Sequence, residues 1–369
     1  MKIIHCADIH LDSAFTAANP SEAEKRRLSL RSAFSSLILY AKTQGTQLFI
    51  ISGDLFDSDC VTKDTTIMLC REMGALQDCK FVIAPGNHDP FCMSSPYKLV
   101  KWPDNVYIFD SNEISFFEFP ELNARVYGYA FTENTYTGRP LDGFHVDESY
   151  GGINILAAHC DFGKQKSFYA PVTESELENS GFDCAALGHI HKASALQKFG
   201  KTVCCYCGCL EGRSFDETGP KGAVVGQLSN DGVQLKHARF SQKRYEKVQC
   251  DITGAKSFSD CAQKIVSECA DYGNDAILRL TLTGVTSPEF FADEQLVRDV
   301  LPLPYSVEVI DETLAALDIE KLKNDMSVAG EFYRCLESKL MSEDENERRD
   351  AYGALKYGLR AINGFEIKA

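Results

Sequence analysis

Two pairs of potential metal ligands stand far apart in the chain and share the same spacing. Asp8 and His10 follow an apolar run with one residue between them, and His189 and His191 repeat this arrangement. In an extended segment alternate side chains point to the same face, so the two members of each pair project together. Carboxylate and imidazole groups are common ligands of divalent metals. The two motifs therefore predict a metal centre, provided that the fold brings them together.

Three further apolar runs, at residues 48–52, 80–84 and 153–158, each lead into polar side chains. These side chains are Asp54, Asn87, His88 and His159. Short apolar strands that alternate with helical segments indicate a parallel sheet covered on both faces. In such sheets the functional loops follow the carboxyl ends of the strands. The polar groups are therefore expected to meet at one edge.

The collected ligand types are imidazole, carboxylate and one amide, without a thiolate. This set suits Mn²⁺ best, and Fe²⁺, Zn²⁺ or Mg²⁺ are also compatible with it. The ligands are too numerous for one ion, whereas two divalent ions ~3.5–4 Å apart would use them all. Asp54 follows the strand expected at the centre of the sheet and is the candidate bridge. Such a centre would attract a phosphodiester even on an acidic protein.

The rest of the chain predicts an α/β protein with two sheets packed face to face and helices outside. A helix is expected from about residue 21, with Ser21 and Glu24 as a capping box, and a second over residues 62–76. Residues 105–131 resemble a meander, and residues 230–232 a hairpin turn. The predicted domains are residues 1–245 with the ligands, a small α/β domain at 246–312 and a helical segment at 313–369.

Composition limits the classes of protein to which the chain can belong. No apolar run reaches the ~18–20 residues that span a bilayer, and the first strand leaves no room for a signal peptide. The 15 cysteines lack paired spacing, so reduced thiols in the cytoplasm are expected, and the Cys204–Cys209 cluster lacks the pattern of a zinc module. The net charge of −15 argues against a broad basic surface for nucleic acid.

Taken in order, five motifs resemble those of the calcineurin-like metallophosphoesterases over roughly residues 1–240. The motifs are Asp8-Ile9-His10, Gly53-Asp54, Gly86-Asn87-His88-Asp89, His159 and Gly188-His189-Ile190-His191. Within that superfamily, residues 10–13, 53–57 and 212–215 are most similar to the bacterial SbcD/YhaO-type DNA repair exonucleases. Those proteins carry a small capping domain after the phosphoesterase domain, as residues 246–312 suggest here.

The resemblance implies roles for individual residues. One ion would be held by Asp8, His10, Asp54 and His191, and the other by Asp54, Asn87, His159 and His189. His88 would act as a general acid toward the leaving group, held in place by Asp89.

At two positions the residues themselves leave the interpretation open. Asp57 stands where some family members have a histidine, so it either contacts the transition state or positions a ligand. Arg213, in a predicted loop, either contacts a backbone phosphate or is a solvated surface charge.

Three functions remain in competition at the level of sequence. The resemblance favours a manganese-dependent DNA exonuclease that acts 3′ to 5′ and also cleaves single strands internally. The acidic composition favours a phosphodiesterase or phosphatase for small molecules. A DNA-end-binding scaffold with little activity is the third.

Partners are expected from the resemblance. They are DNA, an ATPase with a long SMC-like coiled coil, and a second copy of the chain bound through the helix near residues 62–76. The apolar stripes at 328–340 and 355–362 either bind a partner or pack on the chain itself.

Overall fold

The computed structural model describes residues 1–15, 19–57, 61–230, 232–286, 294–362 and 364. The chain divides into two compact units, Met1–Arg244 and Tyr245–Ala369. Each unit has its own buried apolar core.

The first unit is built around two six-stranded sheets. Its strands are β1 (Lys2–Cys6), β2 (Leu48–Ile51), β3 (Lys80–Ile83), β4 (Val106–Ile108), β5 (Ser115–Phe119), β6 (Ala124–Gly128), β7 (Ile153–His159), β8 (Cys184–Gly188), β9 (Gln197–Phe199), β10 (Thr202–Tyr206), β11 (Gly222–Ser229) and β12 (Gly232–Arg239). The strand orders are β12-β11-β1-β2-β3-β4 and β5-β6-β7-β8-β10-β9. In the first sheet β1 to β4 are parallel, and in the second β6, β7, β8 and β10 are parallel. Antiparallel strands complete both sheets.

Helices cover the outer faces of these sheets. They are α1 (Pro20–Gln44), α2 (Lys63–Gly74), α3 (Pro96–Leu99) and α4 (Glu174–Asn179), and a 3-10 turn spans Pro120–Leu122. Alternation along β2 shows why two layers form: Phe49 packs with Phe34 and Leu37 of α1, while Ile50 faces the second sheet. The expected α/β sandwich with outer helices is therefore confirmed.

Two local predictions were wrong. The side chain that caps α1 is that of Asn19, which accepts a hydrogen bond from the backbone N–H of Glu22 at 3.0 Å, instead of Ser21. Pro20 explains the difference, since proline is favoured in the first helical turn and places the cap one residue before it. The expected meander is also split, because β4 joins β3 in the first sheet while β5 and β6 pair in the second. In the hairpin at 230–232, Asp231 lies outside the described residues.

The second unit contains a three-stranded sheet with the order β13-β14-β16, and a pair of short strands, β15 and β17. Its elements are β13 (Arg244–Asp251), α5 (Phe258–Glu268), β14 (Ala276–Thr283), β15 (Val285–Thr286), α6 (Glu294–Val300), β16 (Ser306–Asp311), β17 (Leu314–Ala315), α7 (Ile319–Asn324), α8 (Val328–Leu340) and α9 (Glu345–Ile362).

The last helices pack on one another. Leu340 of α8 lies in one buried cluster with Leu355 and Leu359 of α9, whereas Val328 remains exposed. The buried ammonium group of Lys356 contacts the Asp311 carboxylate at 2.9 Å, which ties α9 to the end of β16. The apolar stripes of the tail are thus mostly covered by the chain itself.

No helix of the described residues has the length and apolar character needed to cross a membrane. The cysteines of the described part of the chain are free thiols, and burial raises the pKa of those at Cys204, Cys205, Cys207 and Cys209.

Candidate metal centre

The polar side chains predicted from the sequence lie at the carboxyl ends of parallel strands of both sheets. Asp8 and His10 follow β1, Asp54 follows β2 and Asn87 follows β3. From the second sheet, His159 ends β7, and His189 and His191 follow β8. The two sheets face each other across an apolar core, so their strand ends come together along one edge.

Three glycines let these strand ends approach closely. A Cβ atom on Gly188 would lie 1.9 Å from the carbonyl oxygen of Ser52, and one on Gly53 would lie 2.2 Å from Nδ1 of His159. A Cβ atom on Gly86 would lie 2.3 Å from Oδ1 of Asp54. Side chains at these positions would push the ligands apart, which explains why glycine precedes Asp54, Asn87 and His189.

Four of the candidate ligands have left-handed or otherwise positive φ angles. The angles are 50° at Asp8, 50° at His10, 51° at Asp54 and 103° at His189. Such conformations are costly for residues with a Cβ atom and cluster at functional sites, where the surrounding structure enforces them. The strain identifies these turns as the functional part of the sheet edge.

A first group of ligand atoms is formed by Asp8, His10 and His191. The Nε2 atoms of His10 and His191 lie 3.2 Å apart, and Oδ1 of Asp8 lies 3.6 Å from Nε2 of His191. Asp54 Oδ2 is 3.7 Å from His10 Nε2.

A second group, formed by Asp8, Asp54 and His159, shares Asp8 with the first. Nε2 of His159 lies 3.4 Å from Oδ2 of Asp54 and 2.9 Å from Oδ1 of Asn87. Oδ2 of Asp54 is thus close to imidazole nitrogens of both groups, in the position that a bridging carboxylate would need.

The tautomers of these rings show that the groups suit cations. Nδ1 of His10 lies 2.7 Å from Oδ1 of Asp57, and Nδ1 of His159 lies 2.9 Å from the carbonyl oxygen of Ser52. Oxygen accepts in these bonds, so each Nδ1 carries a proton, and the neutral ring of His10 presents the lone pair of Nε2 to the centre. Lone pairs and carboxylate oxygens that converge in a buried space require a cation among them. The residues present therefore fit divalent metal.

Electrostatics agrees with this assignment. Burial lowers the pKa of His10, and burial takes the pKa of His189 to about 4, so both rings are neutral at pH 7. At His159 burial also disfavours the charged ring, but the Asp54 carboxylate outweighs it and raises the pKa to about 9. A cation at this place would compete with that proton.

His189 is the predicted ligand that lies farthest from the two groups. Its ring centroid is 5.1 Å from that of His159, and its Nε2 atom lies 3.6 Å from Oδ1 of Asp161. Its backbone N–H donates to the Asp8 carboxylate at 3.1 Å. His189 thus adjoins the second group, although it belongs to none of the three-ligand groups within the described residues.

The prediction that Asp89 holds His88 in place was wrong. The carboxylate nearest its ring is that of Asp57, with 3.2 Å between His88 Nδ1 and Asp57 Oδ1. Asp89 is fully buried and accepts hydrogen bonds from the backbone N–H groups of Asp54, Leu55, Phe56 and Gly86 and from the hydroxyl of Tyr97. Both carboxylate oxygens of Asp89 thus accept hydrogen bonds from the loop that carries Asp54. Asp89 therefore fixes that loop and does not hold His88.

His88 itself stands at the rim of the centre. Its side chain is 50% exposed, and its backbone N–H donates to Oδ1 of Asp54 at 2.9 Å. The hydrogen bond with Asp57 raises the pKa of His88. Burial disfavours ionisation of Asp57, but hydrogen bonds from His10 and His88 outweigh this and hold the pKa of Asp57 well below its usual range.

Arg213 and a carboxylate that the sequence did not reveal complete the rim. Nη1 of Arg213 lies 3.5 Å from Oδ2 of Asp57, and Nη2 lies 3.5 Å from Oε1 of Glu217. Glu217 Oε1 is 2.5 Å from Nδ1 of His191, so Glu217 orients His191 as Asp57 orients His10. Only the Arg-x-x-x-Glu spacing, which is common on any surface, would have indicated Glu217 in the sequence.

Comparison with known proteins defines the class to which this arrangement belongs. The model of the family "Calcineurin-like phosphoesterase" matches residues 1–193, more than half of the chain, and the chain belongs to that family. A relative in Bacillus subtilis (strain 168), described as "Uncharacterized metallophosphoesterase YhaO", is 29% identical over 312 residues, covering 79% of this chain and 74% of the relative. The chain is therefore a hydrolase of the metallophosphoesterase family, and the clustered side chains are its candidate ligands for divalent metal.

Proposed function

We propose that this protein is a metal-dependent nuclease that hydrolyses phosphodiester bonds at DNA ends in DNA repair. The observation that carries the proposal is the position of His88, half exposed at the rim of a buried group of metal ligands and hydrogen-bonded to Asp57. A phosphodiester leaving group departs as an alkoxide and gains most from a proton donor at this place. The sequence similarity to SbcD/YhaO-type exonucleases supports the choice of DNA.

Each residue of the site has a defined task in the proposed reaction. Asp8, His10, Asp54, Asn87, His159, His189 and His191 would hold two ions, with Mn²⁺ the metal that suits these ligands best. Divalent ions in such a centre supply an activated water and offset negative charge on the phosphate oxygens. His88 presents its protonated ring to the departing oxygen, and Asp57 keeps that ring protonated and in place. Arg213 presents positive charge at the same rim.

A small-molecule phosphodiesterase or phosphatase is the second candidate, and the net charge of −15 favours it. An acidic protein repels a polyanion over long distances, whereas a small ester is affected much less. The two candidates share the metal centre and differ only in the substrate that reaches it.

The proposed nuclease would act in the cytoplasm with an SMC-like coiled-coil ATPase, and as a homodimer through α2. Ile67 of α2 is 53% exposed, which leaves this helix with an apolar side chain available to a partner. The similarity to the exonucleases is the support for the ATPase.

The deciding experiment compares two substrates under the same conditions. Full-length protein is incubated with Mn²⁺ and an end-labelled DNA duplex, and in parallel with a nitrophenyl phosphodiester, with and without a chelator. We expect metal-dependent shortening of the duplex from its ends, and loss of both activities in the chelator. Hydrolysis of the nitrophenyl ester alone would overturn the nuclease proposal and support the small-molecule enzyme.

A further inference from the structure

A cleft lined by basic side chains lies behind the loop that carries His191. It has a volume of about 410 Å³, and its cationic or potentially cationic side chains are Lys192, Lys221, His237 and Arg239. No carboxylate is among the described residues that line it. On a chain with 53 acidic and 38 Lys or Arg residues, a cleft without a carboxylate is a marked local departure from the overall charge. We call this feature the basic cleft.

Register on the edge strand directs two of the basic side chains into the cleft. His237 pairs with Val224 and Arg239 pairs with Gly222, so both occupy the same face of β12. A Cβ atom on Gly222 would lie 2.0 Å from the carbonyl oxygen of Ala238, so glycine lets β11 and β12 pack closely beside the cleft. His237 is fixed by the hydrogen bond of its Nε2 atom to the carbonyl oxygen of Ser194 at 2.8 Å.

The basic cleft is joined to the metal centre through the backbone of His191. Lys221 Nζ lies 3.5 Å from the carbonyl oxygen of His191, and the backbone N–H of Cys209 donates to the same oxygen at 3.1 Å. Lys192 is the next residue in the chain and is exposed. The cleft therefore begins at the backbone of the residue whose imidazole belongs to the first ligand group.

We propose that the basic cleft binds the phosphate backbone of the nucleic acid strand whose scissile bond lies at the metal centre. The proposal rests on the nuclease function proposed above and adds a second contact region for its substrate. Lysine and arginine side chains with little base-specific chemistry between them suit phosphate groups, and such contacts position a strand without reading its sequence. They also attract the strand locally, against the long-range repulsion from the net negative charge of the chain.

The test measures binding separately from cleavage. The affinity of full-length protein for a fluorescent single-stranded oligonucleotide is measured by anisotropy in a chelator, over a range of salt concentrations. The variants are Lys192→Ala/Arg239→Ala, a charge-retaining Lys192→Arg/Arg239→Lys, and Lys236→Ala as a matched control. Lys236 is exposed and lies between His237 and Leu235 on β12, so its side chain points to the face opposite that of Arg239.

We expect the double alanine variant to bind the oligonucleotide roughly three- to tenfold more weakly, with a salt slope smaller by about 1.4, or ~0.7 for each lost phosphate contact. The charge-retaining variant should restore most of the affinity, and Lys236→Ala should bind like the wild type. The proposal would be overturned if the double alanine variant kept the wild-type affinity, or if Lys236→Ala lost affinity to the same extent. Competition by a mononucleotide as effective as that of the strand would also overturn it, since a single phosphate group would then suffice.

The two proposals can fail separately. If wild-type protein shortens DNA while the double variant binds the oligonucleotide normally, the cleft is wrong and the nuclease stands. If wild-type protein hydrolyses only the nitrophenyl ester and does not bind the oligonucleotide, both are wrong.

Discussion

At the scale of single residues, the imidazoles of the centre are oriented by the carboxylates of Asp57 and Glu217. Asp57 contacts both His10 and His88, and Glu217 contacts His191. Carboxylates in this position fix the tautomer and direction of a ligating imidazole and increase its basicity. His10 and His191, whose Nε2 atoms lie 3.2 Å apart, are therefore each held from behind by a separate carboxylate.

Replacing His88 by asparagine should lower turnover by about 10²–10⁴-fold while metal content stays unchanged, because the proton donor is lost and the ligands are kept. Metal content is measured by elemental analysis and turnover with the end-labelled duplex, whose leaving group is an alkoxide that needs the proton. In the wild type, turnover should fall as pH rises through the raised pKa of His88, since the ring must be protonated to act. This fall should be absent from the variant. Full activity in His88→Asn would remove His88 from the reaction.

Replacing Glu217 by glutamine should weaken metal binding by about 10–100-fold, because the negative charge behind His191 is lost. Calorimetric titration with Mn²⁺ measures the affinity directly and does not require turnover. Glu148→Gln is the matched control, since Glu148 is an exposed carboxylate in a loop. Equal affinities in the two variants would show that Glu217 has no part in orienting His191.

At the scale of elements, the carboxyl ends of β2 and β8 are locked together across the two sheets. The hydroxyl of Ser52 donates to the carbonyl oxygen of Ala186 at 2.8 Å, and Gly188 packs directly on the carbonyl group of Ser52. That same carbonyl oxygen accepts from His159. The approach of one strand end to another therefore also fixes the direction of a ligand.

Replacing Gly188 by alanine should destabilise the protein by about 1–3 kcal/mol or more, because its Cβ atom would overlap a backbone oxygen that cannot move away. Urea unfolding measures the loss, and metal titration should show weaker binding as the ligands separate. Gly151→Ala serves as the control, since a Cβ atom there has no neighbour within 4 Å. Similar stability of the two variants would contradict the close packing of β2 and β8.

At the scale of the whole molecule, the chain consists of two units with separate cores. The ligand groups lie entirely within Met1–Arg244, and the helical core around Leu355 lies within Tyr245–Ala369. Metal binding is therefore expected to depend on the packing of the first unit alone.

Replacing Leu355 by alanine should cost about 2–5 kcal/mol, since its side chain is fully buried between the helices of the tail. Differential scanning calorimetry should show a lower transition for the second unit, with Mn²⁺ affinity unchanged. Added Mn²⁺ should raise the unfolding transition of the first unit. Leu69→Ala, which removes a fully buried side chain from that unit, should lower the same transition. Loss of Mn²⁺ binding in Leu355→Ala would show that the metal centre depends on the second unit.

The sequence by itself determined the ligand types, their positions at strand ends and the two-sheet architecture. These features follow from local patterns: apolar runs predict buried strands, and the polar residues after them fall at a shared edge. Asp8, Asp54 and His191 could be assigned to one centre in this way without coordinates.

Only the tertiary structure decided which groups support the ligands. Asp57 instead of Asp89 contacts His88, Glu217 contacts His191, and four basic side chains from three segments of the chain line one cleft. Local patterns carry no information about such contacts, because Glu217 and His191 are 26 residues apart and His10 and His191 are 181 apart. The close packing of glycines between the sheets sets these distances, and the sequence shows only that glycines are present.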